Sequence, residues 1–212
     1  MGSNVSRVDH EHHVSSWNVP NALTVFRLVL VPVFIWLMFL EASAARWWAV
    51  LVFMIAAATD QLDGHIARSR NLITDFGRLM DPIADKALTL GAFIMLSIAG
   101  LLPWWVTILI AIRELGITAL RAVLLRRDIV VSANKGGKLK TLLQIFAIWL
   151  LLIPWQSLGA SWPAYASLTH GMLIFGWVVA GLALLMTVWS GLVYVVEGAK
   201  LWKTSSPQGE SK

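Results

Sequence analysis

The strongest constraint on this chain is its run of long apolar stretches. Six of them, at about 22–40, 46–68, 75–101, 104–125, 139–155 and 168–201, read as membrane helices, each of which needs about 20 mostly apolar residues. Only 14% of the 212 residues are charged and 58% are hydrophobic, against about 25% charged in a soluble domain. The predicted fold is an all-α integral membrane protein. It has six transmembrane helices within 18–203 and polar tails at 1–17 and 204–212, the latter read as disordered. The second, third and fourth stretches are not purely apolar, and the functional reading rests on their polar residues.

Positive charge sorts to one side. Arg68, Arg70 and Arg78 surround the second connection, Arg126, Arg127, Lys135, Lys138 and Lys140 the fourth, and Lys200, Lys203 and Lys212 follow the last stretch. Only Arg46 falls on the other side, where Trp47, Trp48, Trp104, Trp105 and Trp162 mark an interface. The positive-inside rule then places the charged face and both termini in the cytoplasm of a multi-pass cell-membrane protein. The net charge of +5 is thereby read as topology, and no nucleic-acid partner is expected. Pro20 suits a first helical turn, and Pro32 is expected to kink its helix or end a regular stretch. Residues 156–167 read as an uncharged loop. Gly176, Ala180 and Gly191 would let helices approach closely.

Residues 1–14 lack an apolar run followed by a cleavage site, so no signal peptide is read there. His10, His12 and His13 are read as tail, not as a metal-binding tract. Met1-Gly2 with Ser6 fits a myristoylation pattern, which a spanning chain does not need. With no cysteine in the chain, metal chemistry is left to Asp, Glu, His or backbone carbonyls.

Four aspartates stand where apolar residues are expected. Asp60 and Asp63 lie about 20 Å and 24 Å inward from Trp47 at the helical rise. Asp60, Asp63, Gly64 and Ala67 share a helical face, as do Asp81 and Asp85. An Asp at mid-membrane costs about 2.5–3.5 kcal/mol, so four unpaired would cost on the order of 10 kcal/mol. Arg68 and Lys86 offset part of this, and a divalent cation offsets more, because carboxylate oxygens suit Mg²⁺, Mn²⁺ or Ca²⁺. Carboxylates from two antiparallel helices can hold two ions that share ligands, an arrangement suited to phosphoryl chemistry. Gly64 and Gly77 leave room for a ligand at the backbone. Pro82 is read as lying inside the third helix, which leaves Asp81 free for the site instead of capping a helix.

A second constellation is basic. Arg113 and Arg121, eight residues apart on roughly one side of the fourth helix, and Lys138 and Lys140 at the start of the fifth point to a polyanionic substrate. A phosphate fits the arginine fork. Glu114 offers the alternative of internal pairing.

From Asp60 to Asp85 the sequence reads D-x2-D-G-x2-A-R-x8-G-x3-D-x3-D at every fixed position. It resembles the signature of the CDP-alcohol phosphatidyltransferase family. The resemblance implies that Asp60, Asp63 and Asp81 bind one metal ion, Mg²⁺ or Mn²⁺, and that Asp60, Asp81 and Asp85 bind a second. It makes Asp85 the proton acceptor. It places Gly64, Ala67, Arg68 and Gly77 around the nucleotide of CDP-diacylglycerol, with further contacts from Asn21, Thr24 and Thr74. The segments Arg113–Arg121 and Gly137–Gln144 resemble the phosphatidylglycerophosphate synthase branch, whose acceptor is glycerol 3-phosphate. That assigns the acceptor phosphate to Arg113, Arg121 and Lys138. Membrane lipids are the expected surroundings, and a second copy of the chain is admitted as a partner. The alternatives are a sister enzyme that uses inositol phosphate or phosphatidylglycerol, and a cation channel or metal transporter. A channel would continue a polar path to the outer face, where these stretches are almost wholly apolar.

Overall fold

The computed structural model describes residues 19–40, 42–69, 75–129, 131 and 135–205. Within its helices the side chains of 20, 61, 63–69, 75–76, 78, 135–136 and 205 lie outside that description. The described chain is helical, with no strand. Its elements are α1 (Val19–Phe39), α2 (Ser43–Ser69), α3 (Asp75–Ile98), α4 (Trp104–Leu125), α5 (Lys135–Leu152), α6 (Trp155–Ser161), a short 3-10 helix (Pro163–Tyr165) and α7 (Ala166–Ser205). Three stretches, Asn21–Phe39, Gly137–Ser161 and Pro163–Thr204, are long and apolar enough to cross a membrane. Helices α2, α3 and α4, of 27, 24 and 22 residues, are long enough, but their charged residues lower their hydropathy.

Several boundaries differ from the sequence reading. The fifth helix ends at Leu152 and not at 155, because Pro154 disfavours helix at the residue before it. The loop expected at 156–167 contains α6 and the 3-10 helix. Trp155 Nε1 donates to the Leu150 carbonyl at 2.7 Å and anchors that segment beneath α5. Helix α7 runs on to Ser205, so 204 and 205 are helical and not part of a tail. At 40 residues it is about 60 Å long, roughly twice a bilayer's hydrocarbon thickness. Helix α1 continues through Pro32; the ring removes only the bond to the Leu28 carbonyl. Pro82 lies inside α3, which starts at Asp75, as the sequence reading preferred.

Contacts between helices fix their directions. Arg27 meets Asp60 and Phe34 meets Phe53, so α1 and α2 run antiparallel. Thr24 meets Asp81 and Ile35 approaches Gly91, so α1 and α3 run the same way. Thr107 meets Phe93 and Ser97, which turns α4 against α3. Gln144 meets Thr187 and Leu151 meets Gly176, which sets α5 against α7. Helix direction therefore alternates along the six long helices. They pack as two groups, α1 with α2 and α3, and α7 with α4 and α5; α3 and α5 join the groups.

Packing uses what membrane interiors allow. Apolar side chains gain little over lipid by burial there, so small residues and interhelical hydrogen bonds matter more. Ala49, Ala56, Ala84 and Ala92 are fully buried between helices. A Cβ on Gly176 would stand 3.0 Å from Leu151 Cδ2, so this glycine permits the close approach of α7 to α5. Gln144 Nε2 donates to Thr187 Oγ1 at 2.9 Å across the same pair. Outside, Trp36, Trp48, Leu142, Leu185 and Trp189 are exposed, the surface expected of a protein facing lipid rather than water.

Candidate active site

The alternating helices bring one set of ends together: the N-terminal ends of α1, α3 and α5 and the C-terminal parts of α2, α4 and α7. There α2, α3, α4, α5 and α7 line a cavity of about 760 Å³. Asp60 and Asp85 line it, and so do Arg113, Arg121 and Lys138. Two constellations about 50 residues apart in sequence thus face one space.

On the acidic side, α1 presents a polar stripe at three-residue spacing. Asn21, Thr24 and Arg27 are all buried. Arg27 Nη1 pairs with Asp60 Oδ1 at 2.5 Å; the arginine side chain is wholly buried, while the aspartate keeps 34% of its surface exposed. Thr24 Oγ1 donates to Asp81 Oδ1 at 2.5 Å. Asp81 is part-exposed but is not on the wall of this cavity. Asp85 is on the wall, and no described residue forms a hydrogen bond or ion pair with it. Gly77 is buried. Asp63, Gly64, Ala67 and Arg68 belong to α2 by backbone, but their side-chain surroundings lie outside the described residues, and Thr74 lies wholly outside them. Among the described residues no three acid or histidine side chains converge on one point. The donors at the cavity are carboxylate oxygens, the chemistry that hard divalent cations take, and Asp85, with no hydrogen-bond or ion-pair partner among the described residues, is available to one.

On the basic side Glu114, buried on α4, is a hub. It accepts from Lys140 of α5, from Arg113 Nη1 at 3.1 Å and, through its other oxygen, faces Lys86 of α3 at 3.8 Å. Internal pairing, the alternative raised from sequence, therefore holds for Arg113. It does not hold for Arg121 or Lys138, for which no described residue supplies an acidic partner. Arg121 Nε lies 3.4 Å from the Tyr194 hydroxyl, and its guanidinium carbon is 5.7 Å from the Tyr194 ring centre. The wall carries Lys86, Arg113, Arg121, Lys138 and Lys140 against Asp60, Asp85 and Glu114. The cationic excess suits a phosphorylated ligand.

Sequence reasoning missed Arg27 and the contributions of Ser190 and Tyr194 from α7. Arg27 had a signal: it lies in a stretch of mean hydropathy 2.3, where an arginine is as anomalous as the aspartates. Ser190 and Tyr194 had none, because serine and tyrosine are ordinary in such a helix.

Residues 17–189 match the CDP-alcohol phosphatidyltransferase family. Over 186 residues the chain is 44% identical to a Mycobacterium tuberculosis protein named probable phosphatidylglycerophosphate synthase, covering 86% of this chain and 82% of that one. It is 37% identical over 191 residues to the CDP-diacylglycerol–glycerol-3-phosphate 3-phosphatidyltransferase of Bacillus subtilis, covering 83% and 97%. It is also 34% identical over 187 residues to the cardiolipin synthase (CMP-forming) of Streptomyces coelicolor, covering 86% and 83%.

Proposed function

The chain belongs to the CDP-alcohol phosphatidyltransferase family, and on that premise we propose that it transfers the phosphatidyl group of CDP-diacylglycerol to glycerol 3-phosphate. The products are phosphatidylglycerophosphate and CMP. One observation carries the reading: the cavity that Asp60 and Asp85 open onto is also walled by Arg113, Arg121 and Lys138. A donor site and a phosphate site in one space is what direct transfer requires.

Asp60, Asp63, Asp81 and Asp85 would hold one or two Mg²⁺ or Mn²⁺ ions, with Arg27 orienting Asp60 and Thr24 orienting Asp81. Bound there, such ions neutralise charge on the donor pyrophosphate. The residues of the chain do the rest. Asn21, Thr24, Gly64, Ala67, Arg68, Thr74 and Gly77 surround the donor nucleotide. Arg121 and Lys138, with Arg113 behind them, hold the acceptor phosphate through charge-assisted bonds. Asp85 takes the proton from the acceptor hydroxyl. That oxygen forms its bond to the β-phosphorus as the bond to the CMP oxygen breaks, and CMP leaves with the electron pair.

The six long helices act as six spans, with the cavity and both termini on the cytoplasmic side of the cell membrane. Their alternating direction and the cluster of Lys and Arg at the cavity end support this. Diacylglycerol chains then remain in the bilayer while the headgroup reaches the cavity. The test is CMP release by purified protein with CDP-diacylglycerol and, in turn, glycerol 3-phosphate, glycerol, serine, inositol phosphate and phosphatidylglycerol. Glycerol 3-phosphate should be used best and glycerol hardly at all. Equal use of glycerol or serine would remove the phosphate pocket. Preference for inositol phosphate or phosphatidylglycerol would keep the pocket and change the acceptor.

A further inference from the structure

Helix α7 lies outside both sequence motifs, yet it touches each arginine of the cavity. We propose that Ser190, Gly191 and Tyr194 of α7 are positioning residues that set acceptor selectivity by fixing the guanidinium groups of Arg113 and Arg121. The inference rests on the acceptor pocket proposed above.

Contacts run in register along two helices that point the same way. Arg113 meets Ser190, Arg121 meets Tyr194, and Arg127 lies over the Trp202 ring with its guanidinium carbon 3.7 Å from the ring centre. Ser190 and Tyr194 are four residues apart and so share a face. Past the cavity, a Cβ on Gly198 would stand 3.1 Å from Leu124 Cδ1, so the helices stay close there too. Helix α7 is thus a rail beside α4, and the side chains of α4 cannot shift without it.

The two arginines are held differently. Arg113 Nη2 donates to Ser190 Oγ at 2.8 Å and its Nη1 to Glu114 at 3.1 Å. Its Nε is buried with no hydrogen-bond partner among the described residues. A Cβ on Gly191 would stand 3.0 Å from both Cγ and Nε of Arg113. The glycine therefore lets the arginine stem lie against the α7 backbone, in a posture that leaves one N–H unsatisfied. Buried groups rarely go unsatisfied without cause; here Ser190 and Glu114 impose the posture from either end of the guanidinium.

Arg121 is exposed to the cavity, and among the described residues only its Nε is engaged, by the Tyr194 hydroxyl. Both terminal amino groups remain available as a fork, the geometry that binds phosphate bidentately. The Tyr194 ring, beside the guanidinium, limits its swing. Selectivity for a phosphorylated over a neutral acceptor then depends on how well Arg121 is aimed, which is the part Tyr194 plays.

The test is steady-state kinetics on purified protein in detergent, varying each substrate separately, for Tyr194→Phe, Gly191→Ala, Ser190→Ala and Arg121→Ala. Tyr194→Phe keeps the ring and removes the hydroxyl. It should raise KM for glycerol 3-phosphate about threefold to tenfold, with kcat and KM for CDP-diacylglycerol within about twofold, since the bond from the Arg121 guanidinium is long, at 3.4 Å, and weaker than a well-formed charge-assisted one. Gly191→Ala should raise the same KM at least as much, and preference for glycerol 3-phosphate over glycerol should fall in step. A merely structural role would lower kcat, or the amount of folded protein, without separating the two KM values. If Arg121→Ala raises the acceptor KM and neither Tyr194→Phe nor Gly191→Ala does, this inference falls alone. If Arg121→Ala also leaves it unchanged, the acceptor pocket itself falls. Should Gly191→Ala not fold, Tyr194→Phe decides.

Discussion

The half of the bundle built from α1, α2 and α3 and the half built from α4, α5 and α7 both place charge inside an apolar protein, and they neutralise it in different ways. In the first half two acids find partners on α1: Arg27 pairs with Asp60, and Thr24 donates to Asp81. In the second a single acid, Glu114, gathers Lys86, Arg113 and Lys140 from three helices. Each half leaves charge of its own sign open to the shared cavity: Asp85 from the first, Arg121 and Lys138 from the second. Burying charge is tolerated where it is paired, and the groups left open are the ones to which the proposed reaction assigns work.

The largest expected effect breaks the first half at its open acid. Asp85→Asn should lower the rate of CMP release by about 10²–10⁴-fold, the range of general acid–base contributions, while CDP-diacylglycerol binding stays measurable by titration. Turnover near that of the wild type would remove Asp85 from the chemistry.

The next effect compares the two modes of neutralisation directly. Glu114→Gln leaves Lys140 and Arg113, whose side chains keep only 9% and 15% of their surface, without their acid. It should cost on the order of 3 kcal/mol, as for breaking a buried pair. Arg27→Met leaves Asp60, but this aspartate is 34% exposed and can turn to the cavity, so the loss should be smaller, about 2 kcal/mol. Thermal unfolding in one detergent ranks the pair. The reverse order would mean that the Arg27–Asp60 pair, and not the hub, holds the bundle together.

Arg121→Ala comes next, with KM for glycerol 3-phosphate rising at least tenfold, because hydrogen bonds to charged groups contribute about 1.5–3 kcal/mol. Smallest is Gly176→Ala. Its Cβ meets Leu151 at 3.0 Å, the same clearance that Gly191 has against Arg113. Gly176 faces the core and Gly191 faces the site, so Gly176→Ala should lower stability by about 1 kcal/mol and leave both KM values unchanged. A rise in acceptor KM there would show that α7 responds as a rigid whole.

The two halves also differ in how much of them was legible in the sequence. The acidic half announced itself, because four aspartates at fixed spacing cannot sit in apolar helices by accident of composition. The start of α3 at Asp75, with Pro82 inside, followed from the same residues. The basic half was visible as an anomaly of charge at Arg113 and Arg121, but its pairing was not, since Glu114 has three cations to choose from and only the fold selects among them. Ser190 and Tyr194 carried no signal of their own, and Gly191 only that of a small residue permitting close approach; which side chain it admits, and the roles of all three, come from the register of α7 on α4, which is tertiary. Arg27 was legible by the argument used for the aspartates and passed unread. The α6 turn was hidden because Pro154 signals a stop without saying that helix resumes after it.

The central claim is that the acids of one half and the cations of the other serve one substrate pair in one cavity. Phosphorus-31 relaxation of glycerol 3-phosphate, measured with purified protein loaded with Mn²⁺, tests it most directly. A paramagnetic ion held by the aspartates should strongly shorten the relaxation of acceptor phosphate bound at Arg121. The effect should vanish with Asp60→Asn, with Arg121→Ala, and when Mg²⁺ replaces Mn²⁺. Acceptor phosphate that binds, by titration, yet relaxes no faster with Mn²⁺ than with Mg²⁺ would place the two sites apart and contradict the account.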